Sequence, residues 1–241
     1  MITLTQNAYT AAWSCLGHHY EPPKAILCIS AHWYVDGLHI TGSPNPATIH
    51  DFNGFPEALS RMEYPAPGQP ELAQTLAERL KDWGALMDDQ WGFDHGSWTI
   101  LRHLYPRADI PVLQLSLNKS KTPEWHFDLG KTLSALREEG ILILGSGNVI
   151  HNLSLYDWNR PNRPPYDWAE RFEKRVCEWL LHRDFDPLIR YEKSGSDALH
   201  AIPTPEHYLP LLTVLGTITE EDKISFPVQG SEGGSISMLS I

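Results

Sequence analysis

The chain has 241 residues, 41% of them hydrophobic, which is enough to bury a sizeable core, and we expect one domain over residues 1–241. Its 19 basic and 30 acidic residues give a formal net charge of -11, which disfavours nucleic acid and anionic membranes as partners. The three cysteines form no CxxC pair, and we see neither a targeting signal nor a membrane span, so we expect a cytoplasmic protein.

Short apolar runs rich in β-branched residues alternate with amphipathic stretches along the chain. The predicted strands are residues 25–30, 38–41, 110–117, 141–144, 224–228 and 235–239. The predicted helices are residues 70–83, which Gly84 ends, 122–140, 168–182 and 205–215. This alternation predicts an α/β fold in which helices pack on a central sheet.

Two histidines follow predicted strands, at the edge where open α/β sheets bind their ligands. His32 follows the strand at 25–30, and His151 follows the strand at 141–144 after the Gly-Ser-Gly-Asn segment 145–148. The alternatives are a loop histidine bonded to backbone, a glycine turn that serves only the chain path, and a phosphate loop, although the Walker lysine is absent. We expect the two imidazoles to face one crevice.

Two further histidines lie at predicted helix starts. His95 belongs to the aromatic segment 91–98, whose rings suit the walls of a pocket for a small planar substrate, unless His95 only interacts with a helix N-terminus. His207 opens the helix at 205–215, where a rigid backbone would fix the ring for metal binding; the alternative is an exposed first-turn residue. Glu206 is interpreted as a helix-dipole residue and not as a ligand. The other histidines are interpreted as structural or exposed: His18, His19, His39, His103, His126, His182 and His200.

Five segments together resemble, in order and spacing, the LigB-like family of class III extradiol dioxygenases of the DOPA-dioxygenase type. They are Ser-Ala-His-Trp at 30–33, His-Asp-Phe-Asn-Gly-Phe-Pro at 50–56, Gly-Phe-Asp-His-Gly-Ser-Trp at 92–98, Gly-Asn-Val-Ile-His-Asn at 147–152 and Thr-Pro-Glu-His-Tyr-Leu-Pro at 204–210. The likeness extends over essentially the whole chain. It implies a LigB-like α/β fold with a mixed central sheet flanked by helices.

The same resemblance implies an activity and a set of functional histidines. The expected enzyme is a non-haem Fe(II) dioxygenase that opens a catechol such as DOPA with dioxygen to a semialdehyde. The resemblance implies that His32 and His207 bind the metal, that His151 is the catalytic acid–base, and that His95 is catalytic beside the substrate. Zn(II) can occupy the same site, because its affinity for imidazole exceeds that of Fe(II).

The resemblance also indicates where the substrate lies. It places His50 in a substrate-facing loop. Trp33, Phe52 and Trp98 are expected to form walls that exclude water, with packing in the core as an equal alternative. The sequence shows no basic residue that would clamp a substrate carboxylate, and it determines neither the particular catechol nor the oligomeric state.

One feature of the family is missing at the start of the sequence. Its members begin with a strand that ends in His-Gly-Ser-Pro, whose histidine is another metal ligand, whereas this sequence starts with Met1 where that motif should finish. We expect the natural start to lie upstream. His18 and His19 fall well past the ligand position and are not assigned as replacements.

Two other functions are alternatives to ring cleavage. A zinc hydrolase would use metal-bound water and a general base, and would need no position for dioxygen. A metal-poor, non-catalytic binding protein on the same scaffold would follow if the missing ligand were a real loss. Oxygen uptake with a catechol and metal content per chain separate these readings.

Overall fold

In the computed structural model, which describes residues 6–52 and 57–241, the chain divides into two units. The N-terminal unit comprises Met1–Ser120 with Thr132–Ser146, and the C-terminal unit comprises Lys121–Lys131 with Gly147–Ile241. The single domain expected from the sequence stays a prediction.

Seven strands occur in the described residues. They are β1 (Ala25–Val35), β2 (Leu38–Thr41), β3 (Ala85–Asp88), β4 (Val112–Asn118), β5 (Ile141–Ser146), β6 (Ser231–Glu232) and β7 (Ile236–Ser237). The first five form one sheet of the N-terminal unit in the order β3-β2-β4-β1-β5. Strand β1 is parallel to β4 and β5, and β2 is parallel to β3, but β2 meets β4 antiparallel. The sheet is therefore mixed, as the resemblance implied.

Ten α-helices occur in the described residues. They are α1 (Ala8–His19), α2 (Glu57–Ser60), α3 (Pro70–Arg79), α4 (His95–Leu104), α5 (Pro123–Leu133), α6 (Ala135–Glu138), α7 (Asp167–Leu181), α8 (Asp186–Ile189), α9 (Ser196–Ala201) and α10 (Leu209–Gly216). In the N-terminal unit, α4 packs against β1 and carries α1, while α3 packs against β2 and β3. None of the helices in the described ranges is long and apolar enough to cross a membrane.

The two central strands of the sheet, β1 and β4, are buried along most of their length. Every residue of β4 is buried, and so are the first seven residues of β1. Burial of successive residues is expected where a sheet is covered on both faces, and the apolar run at residues 25–29 of β1 has the matching sequence pattern. This burial explains why the strands at 25–30 and 110–117 were recognisable in the sequence.

Several predicted boundaries were wrong. The first strand continues past residue 30 to Val35, so His32 lies within β1 and not after it. The last predicted helix begins at Leu209 and not at residue 205, because Pro210, a residue favoured in the first helical turn, marks its start. His207 therefore lies in the turn before α10.

Short elements account for the other differences. Strand β3 follows directly on Gly84 and was not predicted, since four residues give too little pattern. The helix predicted at 122–140 is split into α5 and α6. Residues 224–228 form no strand, apart from an isolated bridge between Val228 and Ser240.

Candidate functional site

An irregular stretch of β1 carries His32. The pairing of β1 with β4 shifts register between Ile29 and Tyr34, and His32 lies between these two residues. Irregularities of this kind redirect side chains and are common beside active sites. His32 is half-buried, which leaves part of its imidazole accessible to a ligand.

A buried polar network fixes the backbone around His32 and His95. The Asp94 carboxylate, which is fully buried, accepts hydrogen bonds from Ser30 Oγ (2.7 Å) and Gln114 Nε2 (2.7 Å). Burial raises the pKa of Asp94 above its ordinary value, although these two hydrogen bonds oppose that rise. Ser30 Oγ in turn accepts from the backbone N–H of His32 at 3.2 Å. The network thus ties the start of α4 to the irregular part of β1.

His32 and His95 contact each other directly. Their ring centroids are 3.8 Å apart, with an angle of 47° between the rings. Gly96 makes this approach possible, because a Cβ at that position would lie 2.8 Å from Cδ2 of His32 and 2.5 Å from Ser30 Oγ. The glycine next to His95 is therefore required by the close approach of the His32 ring.

Asp51 lies between the two histidines. Its Oδ1 accepts hydrogen bonds from Nδ1 of His95 (2.9 Å) and from the backbone N–H of His95 (3.0 Å), and its Oδ2 is 3.6 Å from Nδ1 of His32. Partial burial would raise the pKa of Asp51, but the hydrogen bonds from His95 outweigh it and lower the pKa. The Asp51 carboxylate therefore contacts the imidazole rings of both histidines.

Aromatic rings surround this cluster. Phe52 meets His95 edge-on, with centroids 5.4 Å apart, and lies 6.2 Å from the ring of Trp98. His50 is 5.8 Å from the Trp98 ring, and its Nε2 donates to the carbonyl of Met62 at 2.9 Å. Phe52 is thus the aromatic side chain placed directly against a functional histidine.

The two tryptophans expected as pocket walls are inside the protein. Trp98 is fully buried in the apolar core, and its indole N–H donates to the carbonyl of Ile49 at 3.0 Å. Trp33 is 2% exposed and stacks on Trp91 with centroids 5.3 Å apart. Both have the core packing that was the alternative at the sequence level, and their contact with substrate stays a prediction.

In the C-terminal unit, His151 and His207 form a second pair. Their rings are stacked with an angle of 5° and centroids 3.5 Å apart. The carbonyl of His207 accepts from the backbone N–H of Asn148 at 2.8 Å, and a Cβ on Gly147 would lie 2.1 Å from that carbonyl oxygen. The glycine-rich segment therefore serves close packing against the turn that carries His207.

The electrostatics of this pair are shaped by burial and by one carboxylate. Burial lowers the pKa of His151 to about 4, with a smaller contribution from His207, so its imidazole is neutral at pH 7. Glu206 lies 3.4 Å from Nδ1 of His207 and also accepts from Thr204 Oγ1 at 2.7 Å. Burial alone would raise the pKa of Glu206, but these hydrogen bonds lower it to about 2.

The donor set fits a divalent transition metal. His32, Asp51 and His95 each offer one ligand-type atom, and these atoms lie within 4.8 Å of one another. Imidazole nitrogen and carboxylate oxygen are the donors found in non-haem iron sites, and imidazole also suits zinc. The residues of the N-terminal unit are therefore compatible with a metal centre.

The predicted residues thus fall into two groups within the described chain. The structure brings His32 together with His95, and His151 together with His207. Asp51 was not singled out, although it stands in the segment 50–56 that supported the family resemblance. The motif itself was the only available signal for it, since its histidine partner is 44 residues away in sequence.

Comparisons with known proteins identify relatives of the whole chain. A family model described as the catalytic LigB subunit of aromatic ring-opening dioxygenase matches residues 10–235. The 4,5-DOPA dioxygenase extradiol of Escherichia coli (strain K12) is 47% identical over 245 residues, which cover 100% of this chain and 90% of that protein. The 4,5-DOPA dioxygenase extradiol of Beta vulgaris is 36% identical over 225 residues, covering 90% and 81%. The crystal structure of an uncharacterized protein from Escherichia coli K12 covers 97% of this chain and 91% of its own, with a TM-score of 0.85 and 43% identity.

Proposed function

Since the chain belongs to the LigB family of aromatic ring-opening dioxygenases, we propose that it is an Fe(II)-dependent enzyme that opens a catechol such as DOPA to a semialdehyde. Extradiol ring opening is the activity of the class III enzymes to which it belongs, and an aromatic diol and dioxygen are the substrates that this activity implies. What we propose beyond this family activity is that the metal is iron and that the substrate is a DOPA-like catechol. Both oxygen atoms enter the product, and one ring bond next to the diol breaks.

The metal is assigned to His32 and His207, the two ligands that the family resemblance implies. The surroundings of His32 support this assignment, because ligand-type atoms of His32, Asp51 and His95 all lie within 4.8 Å of one another. Bound Fe(II) would supply a redox-active centre with open positions for a chelating diol and for dioxygen. Whether both histidines hold the same ion is decided by metal content in the two single variants, His32→Ala and His207→Ala.

The proton transfers are assigned to the chain's own imidazoles. The imidazole of His151 is neutral at pH 7 and has a nitrogen lone pair that can take a proton from a phenolic hydroxyl and later return one to the product, although burial makes it a weaker base than an ordinary histidine. His95 would hydrogen-bond to the substrate, with its ring held by Asp51. Phe52 packs edge-on against His95 and would limit access of water to that ring.

The observation that carries the proposal is the pairing of the predicted histidines. His95 lies against His32 with ring centroids 3.8 Å apart, and His151 lies against His207 at 3.5 Å. Because two imidazoles in contact repel each other when both are protonated, each pair favours at least one neutral ring, which keeps a nitrogen lone pair for a metal or a proton. Each pair joins a residue assigned to the metal with a residue assigned to substrate chemistry.

The test is anaerobic loading with Fe(II), followed by addition of DOPA and dioxygen. We expect oxygen uptake and a yellow semialdehyde in the wild type, and a large loss of both in His151→Ala. The matched control is His200→Ala, an exposed histidine of the same unit whose Nδ1 bonds to the carbonyl of Ser196 in the same helix. Equal activity in His151→Ala and the wild type would defeat the acid–base assignment.

The same experiment separates the two rival functions. A zinc hydrolase would consume no oxygen with a catechol and would gain nothing from Fe(II). A non-catalytic binding protein would hold well under one metal ion per chain after loading and would not turn over.

A further inference from the structure

The carboxylate of Asp51 contacts both paired histidines of the N-terminal unit, His32 and His95. One oxygen, Oδ1, accepts both the ring Nδ1–H of His95 at 2.9 Å and the backbone N–H of His95 at 3.0 Å. The other oxygen, Oδ2, is 3.6 Å from Nδ1 of His32. Only 22% of the Asp51 side chain is exposed, so these contacts are partly shielded from water. A single carboxylate therefore fixes both the position and the orientation of His95.

The backbone before Asp51 is itself held against the segment that carries His95. The N–H of Ile49 donates to the carbonyl of Phe93 at 2.7 Å, and the carbonyl of Ile49 accepts from the indole N–H of Trp98 at 3.0 Å. These bonds lie on either side of His95 in sequence. Asp51 is therefore held at the ring of His95 by supports other than its own hydrogen bond, as a preorganised site requires.

The hydrogen bond between Asp51 and His95 determines which nitrogen of the His95 ring carries the hydrogen. A neutral imidazole carries one N–H and one lone pair, and an ionised carboxylate can only accept hydrogen bonds. The hydrogen on His95 must therefore be on Nδ1, which leaves the lone pair on Nε2. His50, one residue before Asp51, has the opposite tautomer, with its hydrogen on Nε2, because Nε2 donates to the carbonyl of Met62.

We propose that Asp51 is a positioning residue that selects the Nδ1–H tautomer of His95 and so presents the Nε2 lone pair to a hydroxyl group of the aromatic diol. This inference rests on the proposed function for the role of the diol, but the tautomer itself does not depend on turnover. Carboxylates that hold the far nitrogen of an active-site histidine are a recurrent way to fix ring orientation and basicity.

The competing role for Asp51 is that of a metal ligand. Two histidines and one carboxylate form a known iron-binding set, and the three side chains are close enough for it. However, Oδ1 already accepts two N–H groups of His95, so a cation would have to bind through Oδ2, the oxygen that faces Nδ1 of His32 at 3.6 Å. The geometry favours a carboxylate that orients histidines over one that coordinates a cation.

The tautomer can be measured in metal-free, ¹⁵N-labelled protein by long-range ¹H–¹⁵N correlation spectra of the histidine rings. The His95 signals are assigned by their loss in His95→Gln. We expect Nδ1–H in the wild type and in Asp51→Asn, whose amide oxygen can still accept, and Nε2–H in Asp51→Ala. An Nε2–H tautomer in the wild type, or an unchanged tautomer in Asp51→Ala, overturns the proposal. If Asp51→Ala does not fold, the wild-type spectrum is sufficient, because Nδ1–H on His95 supports the proposal and Nε2–H overturns it.

Activity and metal content complete the test. With Fe(II) loaded, we expect Asp51→Ala to lose about 10- to 100-fold in kcat at unchanged metal per chain, and Asp51→Asn to lose less. Asp82→Ala, which removes an exposed carboxylate of the same unit, should match the wild type. Loss of metal from Asp51→Ala would instead identify a ligand and overturn the proposal. If the wild type consumes no oxygen with any catechol, the proposed function fails while the tautomer result stands.

Discussion

Replacing Gly147 by alanine should impair the enzyme by moving one histidine, although residue 147 bears no functional group. A Cβ at this position would lie 2.1 Å from the carbonyl oxygen of His207, and real Cβ contacts essentially never fall below 3.0 Å. The His207 backbone must therefore move by about 0.9 Å or more. The same carbonyl accepts the N–H of Asn148 at 2.8 Å, so the movement also strains that hydrogen bond.

The expected effect follows from the size of this displacement. A misplacement of about 1 Å at a reacting group can lower the rate by about 100-fold, and overpacking of this kind costs about 1–3 kcal/mol of stability. We therefore expect Gly147→Ala to remain folded, to lose about 100-fold in kcat in the Fe(II)-loaded oxygen-uptake assay, and to bind metal more weakly. His151 should be affected as well, since its ring is stacked on that of His207.

The matched control is Gly130→Ala in the same unit. Its Cβ would also lie 2.1 Å from a backbone carbonyl oxygen, that of Thr213, but away from the histidine pair. Both variants should lose similar stability in urea unfolding, and only Gly147→Ala should lose activity per folded molecule. A folded Gly147→Ala enzyme with wild-type kcat and metal content would refute the positioning argument.

Three further predictions concern stability and the N-terminal cluster. Burial lowers the pKa of His126 from the ordinary 6.5 to about 4. The unfolded chain therefore binds a proton more readily than the folded protein, and the free energy of unfolding falls as the pH is lowered from 6.5 towards 4. The expected loss is about 2 kcal/mol between pH 7 and pH 5. Urea unfolding at both pH values should show this loss shrinking in His126→Gln but not in His182→Gln, whose exposed ring makes the same bond to a carbonyl four residues earlier. Asp94→Ala leaves several buried donors unpaired and should cost about 3 kcal/mol or more; a loss under about 1 kcal/mol in the same assay would contradict the network. Gly96→Ala should displace His32 and lower Fe(II) affinity in a competition assay with a chelator, and unchanged affinity would contradict that role.

The sequence predicted four strands of the central sheet, although not β3, and it singled out the histidines that the structure brings together in pairs. Strand β1 is covered on both faces, so its apolar run at residues 25–29 is visible without tertiary information, whereas β4 alternates apolar and polar residues that are all buried. His32 and His151 were found because apolar strands precede them, even though His32 proved to lie inside its strand at an irregularity. Register shifts depend on the partner strand, which the local sequence does not reveal.

Tertiary contacts decided what the sequence left open. Trp98 next to the histidine motif could have been a pocket wall or a core residue, and its complete burial and its bond to Ile49 were not readable from composition. His126, interpreted only as structural or exposed, is fully buried. Asp51 acquires its meaning from a ring 44 residues later, and no local pattern encodes such a pairing.

Carboxylates at the Nδ1 side recur among the assigned histidines. Asp51 serves His95 and approaches His32, and Glu206 lies 3.4 Å from His207. A carboxylate at Nδ1 keeps Nε2 available as the donor atom for a metal or a substrate, and it makes that atom more basic. If both carboxylates act in this way, Glu206→Ala, which removes the acceptor at Nδ1 of His207, should weaken metal binding through His207. The effects of Glu206→Ala and Asp51→Ala would differ in kind, since His207 is assigned to the metal and His95 to the diol. Metal affinity should therefore respond to Glu206 and the His95 tautomer to Asp51, and the reverse pattern would exchange the two assignments.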